Sequence, residues 1–368
     1  FHLSENPSLQ TVPSAILTIT YENGSKKSVT YAPDELVRVE EKGPMEGRPC
    51  SEWKLPFPEV DEIGYHRLRL CVNRGDTQES QEILLVVCPD KAYLPSALQG
   101  TGRLGGISLS LYGVRSERNW GIGDFTDVKD ILSWARHELG AHIVGLNPLH
   151  AGFNRSPFNT SPYLPISKFY RNFIYLDVED LQDYRTSDAA QALVNRVETQ
   201  SQLSDLRASE KVQYEAVAVL KEEVLRVVFL DFLKKNKKCS GAKGSRWKAF
   251  QDYIRTQGEL LDRFAVFSAL DRIMHEKNPD VWTWQQWPAK YQHPETQAVK
   301  SFEEDHREEI LFYKYIQWQL DEQLSAVQNY AMKLGMSLGL YHDLALAIDR
   351  WGADAWAYQD YFYPRLRV

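Results

Sequence analysis

Long hydrophobic runs are absent from this 368-residue sequence. The longest uninterrupted apolar stretch, Ile83 to Cys88, has the length of a β-strand, whereas a membrane-spanning helix needs about 20 apolar residues. The sequence therefore predicts no transmembrane segment. Hydrophobic residues make up 43% and charged residues 25% of the chain, which is the balance of a globular protein.

Cysteine is scarce. The chain has 4 cysteines, none in a CxxC or mixed Cys/His ligand spacing. A chain with this many loops and no disulfide framework fits a reducing compartment, so we expect a cytoplasmic location. Cys71 and Cys88 could face each other on neighbouring strands, but the composition favours small buried hydrophobic residues at both positions.

Excess positive charge and the common catalytic motifs are also missing. With 43 Lys and Arg against 50 Asp and Glu, the net charge is -7, which argues against a nucleic-acid partner. The sequence contains no P-loop, HExxH or GxSxG motif, and its 9 histidines are scattered. Its one GxGxxG spacing, Gly100 to Gly105, precedes a predicted strand, whereas a dinucleotide-binding motif follows a strand and begins a helix. The sequence therefore predicts neither a dinucleotide or nucleotide site nor a metal site.

The first 95 residues have the pattern of β-strands. Alternating residues from Ala15 to Tyr21, a turn at Asn23-Gly24 and a second alternating segment from Lys27 to Tyr31 predict a hairpin. Further strands are expected at Tyr65–Asn73 and Glu82–Cys88. The pattern predicts a small antiparallel β-sandwich of immunoglobulin-like type.

After residue 95 the pattern changes to strand, helix, strand. An apolar strand near residue 107 precedes a helical stripe from Phe125 to Leu139, with Asp124 as N-cap and Gly140 as the stop. Further strands are expected near 143 and 338, and the pattern also allows one at Phe173–Asp177. Residues of about 186–334 have helical periodicity and predict an insertion into a parallel α/β sheet.

Three segments follow predicted strands, where parallel sheets carry their active sites. Gly113–Asp124 is longer than a simple turn requires, although a packed structural loop explains it equally well. Asn147–Asn172 combines aromatic, amide and hydroxyl side chains with prolines, a mixture that suits sugar binding. The third segment, Leu340–Leu344, places Asp343 at a strand end. The aromatic group Trp282, Trp284 and Trp287 fits core packing better than a sugar platform.

These segments together resemble the 4-α-glucanotransferases (amylomaltases or disproportionating enzymes), in particular the bacterial branch with an extra N-terminal β region. The matching motifs occur in the family's order: SERNWGIGDF from Ser116, GLNPLHA from Gly145, SPY from Ser161, WQQWP from Trp284 and GLYHDLALAID from Gly339. The resemblance covers residues of about 100–368.

The resemblance implies part of a (β/α)8 TIM barrel over residues 96–368, with a large helical insertion and a preceding β-sandwich. It also implies retaining transfer of an α-1,4-glucan segment to the 4-hydroxyl of an acceptor, with no cofactor or catalytic metal. Such a reaction needs two carboxyl groups about 5–5.5 Å apart, a nucleophile and an acid/base. Its substrates would be maltooligosaccharides or glucans derived from starch or glycogen.

By the same resemblance, Tyr163 would pack under the donor sugar and Asp343 would be a sugar-contacting or supporting carboxylate. Ser161, Asn147 and His150 lie in matching segments and are further substrate-binding candidates. The family's nucleophilic Asp and acid/base Glu have no counterparts in this sequence. We therefore expect a chain truncated at both ends, inactive by itself, with the catalytic residues after Val368.

Two alternatives are open. An α-glucan hydrolase of the same clan would release reducing ends without disproportionation. A non-catalytic glucan-binding protein would bind through the β-sandwich and the group from Trp282 to Trp287.

Overall fold

The computed structural model describes residues 2–4, 13–39, 50–75, 77–155, 160–237 and 245–362. By their internal contacts the residues divide into two compact units, Phe1–Leu94 and Pro95–Val368. Each unit has its own hydrophobic core and is described separately.

Unit 1 is built from antiparallel strands. Its described strands are β1 (His2–Ser4), β2 (Ser14–Thr20), β3 (Lys26–Tyr31), β4 (Val37–Val39), β5 (Cys50–Lys54), β6 (Gly64–Arg74) and β7 (Thr77–Val87). They form one sheet of order β3-β2-β6-β7 and a second of order β1-β5-β4. Buried residues of both sheets share a single core because alternate side chains of β2 point inwards, as Ala15 and Leu17 do, and meet Trp53 of the second sheet.

The hairpin predicted around Asn23-Gly24 is confirmed, with Gly24 at φ 88°. Strand β7 starts earlier than expected, because its polar first half pairs with β6 as fully as its apolar second half. The prediction that Cys71 and Cys88 are both buried is wrong, because Cys71 is only partly buried. Cys71 pairs in register with Ser80, while Cys88 lies beyond the end of β7 and is exposed. Cys239 lies outside the described residues.

Unit 2 contains the parallel sheet. Its described strands are β8 (Gly106–Leu109), β9 (Ile143–Leu146), β10 (His150–Ala151), β11 (Ser167–Arg171) and β12 (Gly339–His342). Strands β8, β9 and β12 pair in parallel in the order β12-β9-β8, with Gly106 and Gly339 both opposite Ile143. The strands predicted near residues 107, 143 and 338 are confirmed. Strands β10 and β11 form a separate antiparallel pair.

The helices of unit 2 cover the sheet and build the insertion. They are α1 (Phe125–Leu139), α2 (Gln182–Arg185), α3 (Asp188–Val194), α4 (Val197–Ala208), α5 (Tyr214–Lys237), α6 (Ser245–Lys277), α7 (Gln297–Asp305), α8 (Arg307–Lys333) and α9 (Ala353–Ala357). Helix α1 begins and ends as predicted, because Asp124 caps two N–H groups and Gly140 adopts a left-handed φ of 64°. The apolar stripe of α5 is buried.

The strand considered at Phe173–Asp177 is wrong. Residues Phe173–Tyr175 form a short 3₁₀ helix whose first turn is capped by the side chain of Asn172. The apolar run has strand-like composition, but it is buried between α5 and α8 instead of pairing in the sheet. Periodicity cannot separate a buried strand from another buried segment when the run is this short.

Candidate functional site

Three loops of unit 2 leave the carboxyl ends of the parallel strands. Strand β8 ends at Leu109, β9 at Leu146 and β12 at His342. Because parallel strands end at the same edge of a sheet, residues 110–124, 147–172 and 343–352 follow a common edge, which is where barrel enzymes build their sites.

Asn147 joins two of these loops. Its Oδ1 accepts a hydrogen bond from the backbone N–H of Leu111 at 2.7 Å, and its Nδ2 donates to Pro148 O at 2.8 Å and to the hydroxyl of Tyr175 at 3.3 Å. The side chain is buried, and both amide hydrogens are used by protein groups. Asn147 therefore links the loop after β8 to the loop after β9.

His150 lies in β10, and Asp343, which follows β12, is close enough to act on its ring electrostatically. Asp343 is the first residue after β12, and its side chain is partly exposed. His150 in β10 is buried, and its Nε2 accepts a hydrogen bond from the N–H of Ala345 at 3.4 Å. The acceptor role requires a neutral imidazole.

The pKa of His150 is lowered to about 4, chiefly because burial disfavours the charged ring and also because Arg171 and Lys168 are nearby cations. The negative charge of Asp343 favours the protonated ring and so raises the pKa of His150, but by less than these effects lower it. The imidazole is therefore neutral across the physiological pH range.

A pH experiment on His150 follows from this shift. An unfolded histidine titrates near pH 6.5. Between pH 6.5 and 4 the unfolded state therefore binds a proton at His150, whereas the folded state does not. Stability is thus lost as the pH falls through this window, by about 3 kcal/mol for the group. His150→Gln keeps an acceptor but does not titrate, so we expect a flatter fall in urea-unfolding stability from pH 7 to 4. Parallel curves for the two proteins would contradict the assignment.

Ser161 and Tyr163 form a surface turn in the loop after β9. The Ser161 Oγ accepts from the N–H of Tyr163 at 3.3 Å, and the Ser161 carbonyl accepts from the N–H of Leu164 at 3.2 Å. The Tyr163 side chain is 54% exposed. An exposed aromatic ring on a hydrogen-bonded turn is suited to stacking against a sugar face.

The chain after β12 is hydrogen-bonded to the residues between Tyr163 and β11. The N–H of Asp349 donates to Pro165 O at 2.8 Å, and the N–H of Asp354 donates to Ile166 O at 3.1 Å. A Cβ added to Gly352 would lie 2.5 Å from the Cα of Ile166, so only glycine permits this approach. The loops that carry Tyr163 and Asp343 are therefore packed together.

The loop Gly113–Asp124 has a structural role. The Arg118 guanidinium contacts Asp124 at 2.6 Å, Asp177 at 2.8 Å and Asp127 at 3.0 Å, and all three carboxylates are buried. Burial raises the pKa of Asp124, and the hydrogen bond from Arg118 opposes that rise. The loop thus stabilises the start of α1 through Arg118, which agrees with the alternative that it is a packed structural loop.

Lys221 lies near the same three carboxylates and was not among the predicted site residues. It is 1% exposed, and its Nζ donates to Ile174 O at 2.5 Å and Leu176 O at 2.6 Å. Burial lowers its pKa to about 8, although the three carboxylates favour the charged form. A lysine within the apolar stripe of α5 was the available signal, but an isolated lysine on a helix is normally exposed.

A cavity of about 610 Å³ lies between α5, α6 and α8 and the chain at Ala151–Arg155. None of the five predicted site residues lines it. Trp287 is buried against Phe267 and Trp356, and the Nε1 of Trp284 donates to Arg350 O at 3.2 Å. Trp287 therefore packs inside unit 2, as the sequence favoured, while Trp282 and Trp284 are partly buried.

Within the described residues, no group of three or more His, Cys, Asp or Glu side chains is placed to hold a metal ion. Of the helices in those same ranges, none is both long and apolar enough to cross a membrane.

The parallel strands, with polar loops at their carboxyl ends, form part of a (β/α) barrel. Enzymes with this fold carry their active sites at that end of the strands. A family model described as 4-alpha-glucanotransferase, glycoside hydrolase family 77, matches residues 109–368. The chain belongs to this family, so the family predicted from the motifs is confirmed.

Individual relatives agree. The chain is 34% identical over 311 residues to a 4-alpha-glucanotransferase of Haemophilus influenzae, covering 84% of this chain and 42% of that protein. It is 34% identical over 338 residues to a 4-alpha-glucanotransferase of Mycobacterium tuberculosis, covering 89% and 43%. The chain thus spans less than half the length of these relatives.

Solved structures show the same architecture. The amylomaltase from Corynebacterium glutamicum superposes with a TM-score of 0.67 at 25% identity, over 96% of this chain and 44% of that one. The amylomaltase from Streptococcus agalactiae in complex with acarbose gives 0.54 at 19% identity, over 72% and 48%. The predicted fold class, a partial barrel with a helical insertion, is confirmed.

Proposed function

We propose that the protein is a 4-α-glucanotransferase that moves a segment of an α-1,4-glucan to the 4-hydroxyl of another glucan or of glucose, with maltooligosaccharides and starch- or glycogen-derived glucans as substrates. The observation that carries the proposal is the packing of the Tyr163 and Asp343 loops against each other beside the carboxyl ends of β9 and β12. The names of the relatives support the same reaction.

The proposed roles follow from placement. Tyr163 stacks on the donor sugar, because its ring is exposed on a rigid turn. Asp343 contacts the sugar or supports the reacting groups from the end of β12. Ser161 shapes the turn, whereas Asn147 and His150 hold the loops.

The nucleophilic Asp and the acid/base Glu are proposed to belong to the part of the family's length that this chain does not cover. A retaining transfer needs both carboxyl groups at about 5–5.5 Å. Transfer is favoured over hydrolysis when a bound sugar acceptor shelters the glycosyl-enzyme from water. The proposed reaction uses no cofactor and no metal.

A cytoplasmic location is also proposed. It rests on free thiols at Cys71 and at the exposed Cys88, since exposed free cysteines are typical of proteins in reducing compartments.

Maltotriose assays on the complete gene product test the reaction. We expect glucose and maltopentaose to accumulate while the number of reducing ends stays constant, because transfer breaks one glycosidic bond and forms another. Rising reducing ends would instead support a hydrolase. Calorimetric binding of maltoheptaose with no turnover would support a non-catalytic binding protein.

Tyr163→Ala should lower kcat/KM for maltotriose about 10–100-fold, because losing a stacked aromatic ring forfeits roughly 1.5–3 kcal/mol. Tyr163→Phe keeps the ring and should remain near wild type. Tyr93, 88% exposed and in unit 1, provides the matched control Tyr93→Ala. Equal kinetics for the Tyr163→Ala and Tyr93→Ala variants would refute the role of Tyr163.

A further inference from the structure

Lys168 in β11 binds the loop after β12 in two places. Its backbone N–H donates to Asp354 Oδ2 at 2.8 Å, and its Nζ donates to Leu346 O at 2.5 Å. The two acceptors lie on either side of Gly352, which rests on Ile166. One residue therefore holds the loop near its middle and again at the helix that follows it.

Ala345 and Asp349 of this loop are buried, but its two leucines do little to anchor it. Leu344 is 63% and Leu346 is 93% exposed, so these apolar groups contribute little burial energy. Backbone hydrogen bonds hold this part of the loop instead, from Ala345 N–H to His150 and from Lys168 to Leu346 O. The hydrogen bond from Lys168 to Leu346 O is exposed, and a segment that depends on such a bond opens at lower free-energy cost than a buried one.

We propose that Lys168 is a positioning residue for glucan transfer, which holds the loop of Asp343 at a set separation from the turn of Tyr163. The proposal rests on the proposed function of these two residues. Lys168 lies five positions after Tyr163, and the carbonyl it binds lies three positions after Asp343. Its ammonium group thus joins the two sides of the proposed sugar site through the backbone carbonyl of Leu346.

Positioning should affect turnover more than binding. Displacement of a catalytic group by about 1 Å can cost on the order of 100-fold in rate, whereas much of a glucan's binding energy comes from sugars distant from the reacting bond. Lys168→Met retains the aliphatic stem and removes the donor. In the complete gene product we expect kcat for maltotriose to fall about 10-fold and KM to change less than about 2-fold.

Two further variants sharpen the test. Lys168→Arg can still donate to Leu346 O and should restore most of kcat. Lys314→Met removes a comparable ammonium group, which pairs with Asp262 in the insertion at 2.5 Å, and should leave kcat and KM unchanged.

Amide hydrogen exchange supplies a measurement that does not depend on turnover. Lys168→Met should accelerate exchange at residues 344–349, and Lys314→Met should not. Unchanged exchange in this loop, or a kcat that does not differ between the Lys168→Met and Lys314→Met proteins, would overturn the proposal. If the wild-type protein performs no transfer, the proposed function fails, and exchange alone then decides whether Lys168 holds the loop. Should Lys168→Met fail to fold, Lys168→Gln, whose amide is shorter, replaces it in both measurements.

Discussion

Lys221→Met is expected to lower the free energy of unfolding of unit 2 by about 3–5 kcal/mol, because two hydrogen bonds from a charged donor are lost, each contributing about 1.5–3 kcal/mol. The substitution leaves the carbonyls of Ile174 and Leu176 without their donor. It also removes a positive charge that lies near Asp124, Asp127 and Asp177, the three buried carboxylates that Arg118 contacts. Methionine fills most of the space, so the loss comes from polar groups and not from a cavity.

Urea unfolding followed by tryptophan fluorescence measures this effect, because Trp53 is the only one of 10 tryptophans in unit 1. The matched control is Lys129→Met. Lys129 pairs with Asp180 at 3.0 Å near the surface, and such pairs contribute about 0–1 kcal/mol. Equal stability of the Lys221→Met and Lys129→Met proteins would contradict the assigned role of Lys221.

The pH dependence provides a second check on Lys221. Its pKa is about 8 in the folded protein and 10.5 without burial, so between these values the unfolded state binds the extra proton. The contribution of Lys221 to stability therefore rises as the pH rises from 8 to 10.5. That increment should be missing from the Lys221→Met protein.

Asp343→Asn is expected to reduce kcat of the complete gene product about 100–1,000-fold, the scale seen when a preorganised electrostatic group is removed from an active site. Asparagine keeps the size and the acceptor oxygen but removes the charge. Because Asp343 is partly exposed, the free energy of unfolding should change by less than about 1 kcal/mol.

A neighbouring carboxylate controls for charge alone. Asp360 is exposed in the short 3₁₀ helix Gln359–Tyr361, and Asp360→Asn should leave kcat and KM at wild-type values. Retention of more than about a third of the wild-type kcat by Asp343→Asn would remove Asp343 from the proposed site.

Local patterns predicted the elements that depend on local chemistry. The hairpin at Asn23-Gly24 and the ends of α1 at Asp124 and Gly140 depend on turn geometry and capping, which neighbouring residues decide. The short apolar runs of β8, β9 and β12 were recognisable from composition and length, and β9, which lies between the other two, is the most buried of the three.

Other features depend on distant partners. Phe173–Tyr175 is a 3₁₀ helix because α5 and α8 enclose it and the Asn172 side chain caps it. From the sequence, Lys221 is an ordinary helical lysine that is expected to be exposed. In the folded protein it donates to the carbonyls of Ile174 and Leu176, which are distant in sequence. The 610 Å³ cavity is formed by helices that no short motif connects.

The sequence by itself determined the family, the three parallel strands and the helical insertion of unit 2, and the identity of Tyr163 and Asp343 as candidate residues, because motifs and periodicity are local properties of the chain. The tertiary structure alone decided that the loops of these two residues are packed together and that Lys168 and His150 hold them. It also decided that Arg118 and Lys221 serve the core. These contacts join residues up to 195 positions apart, and only the folded chain brings such partners within hydrogen-bonding distance.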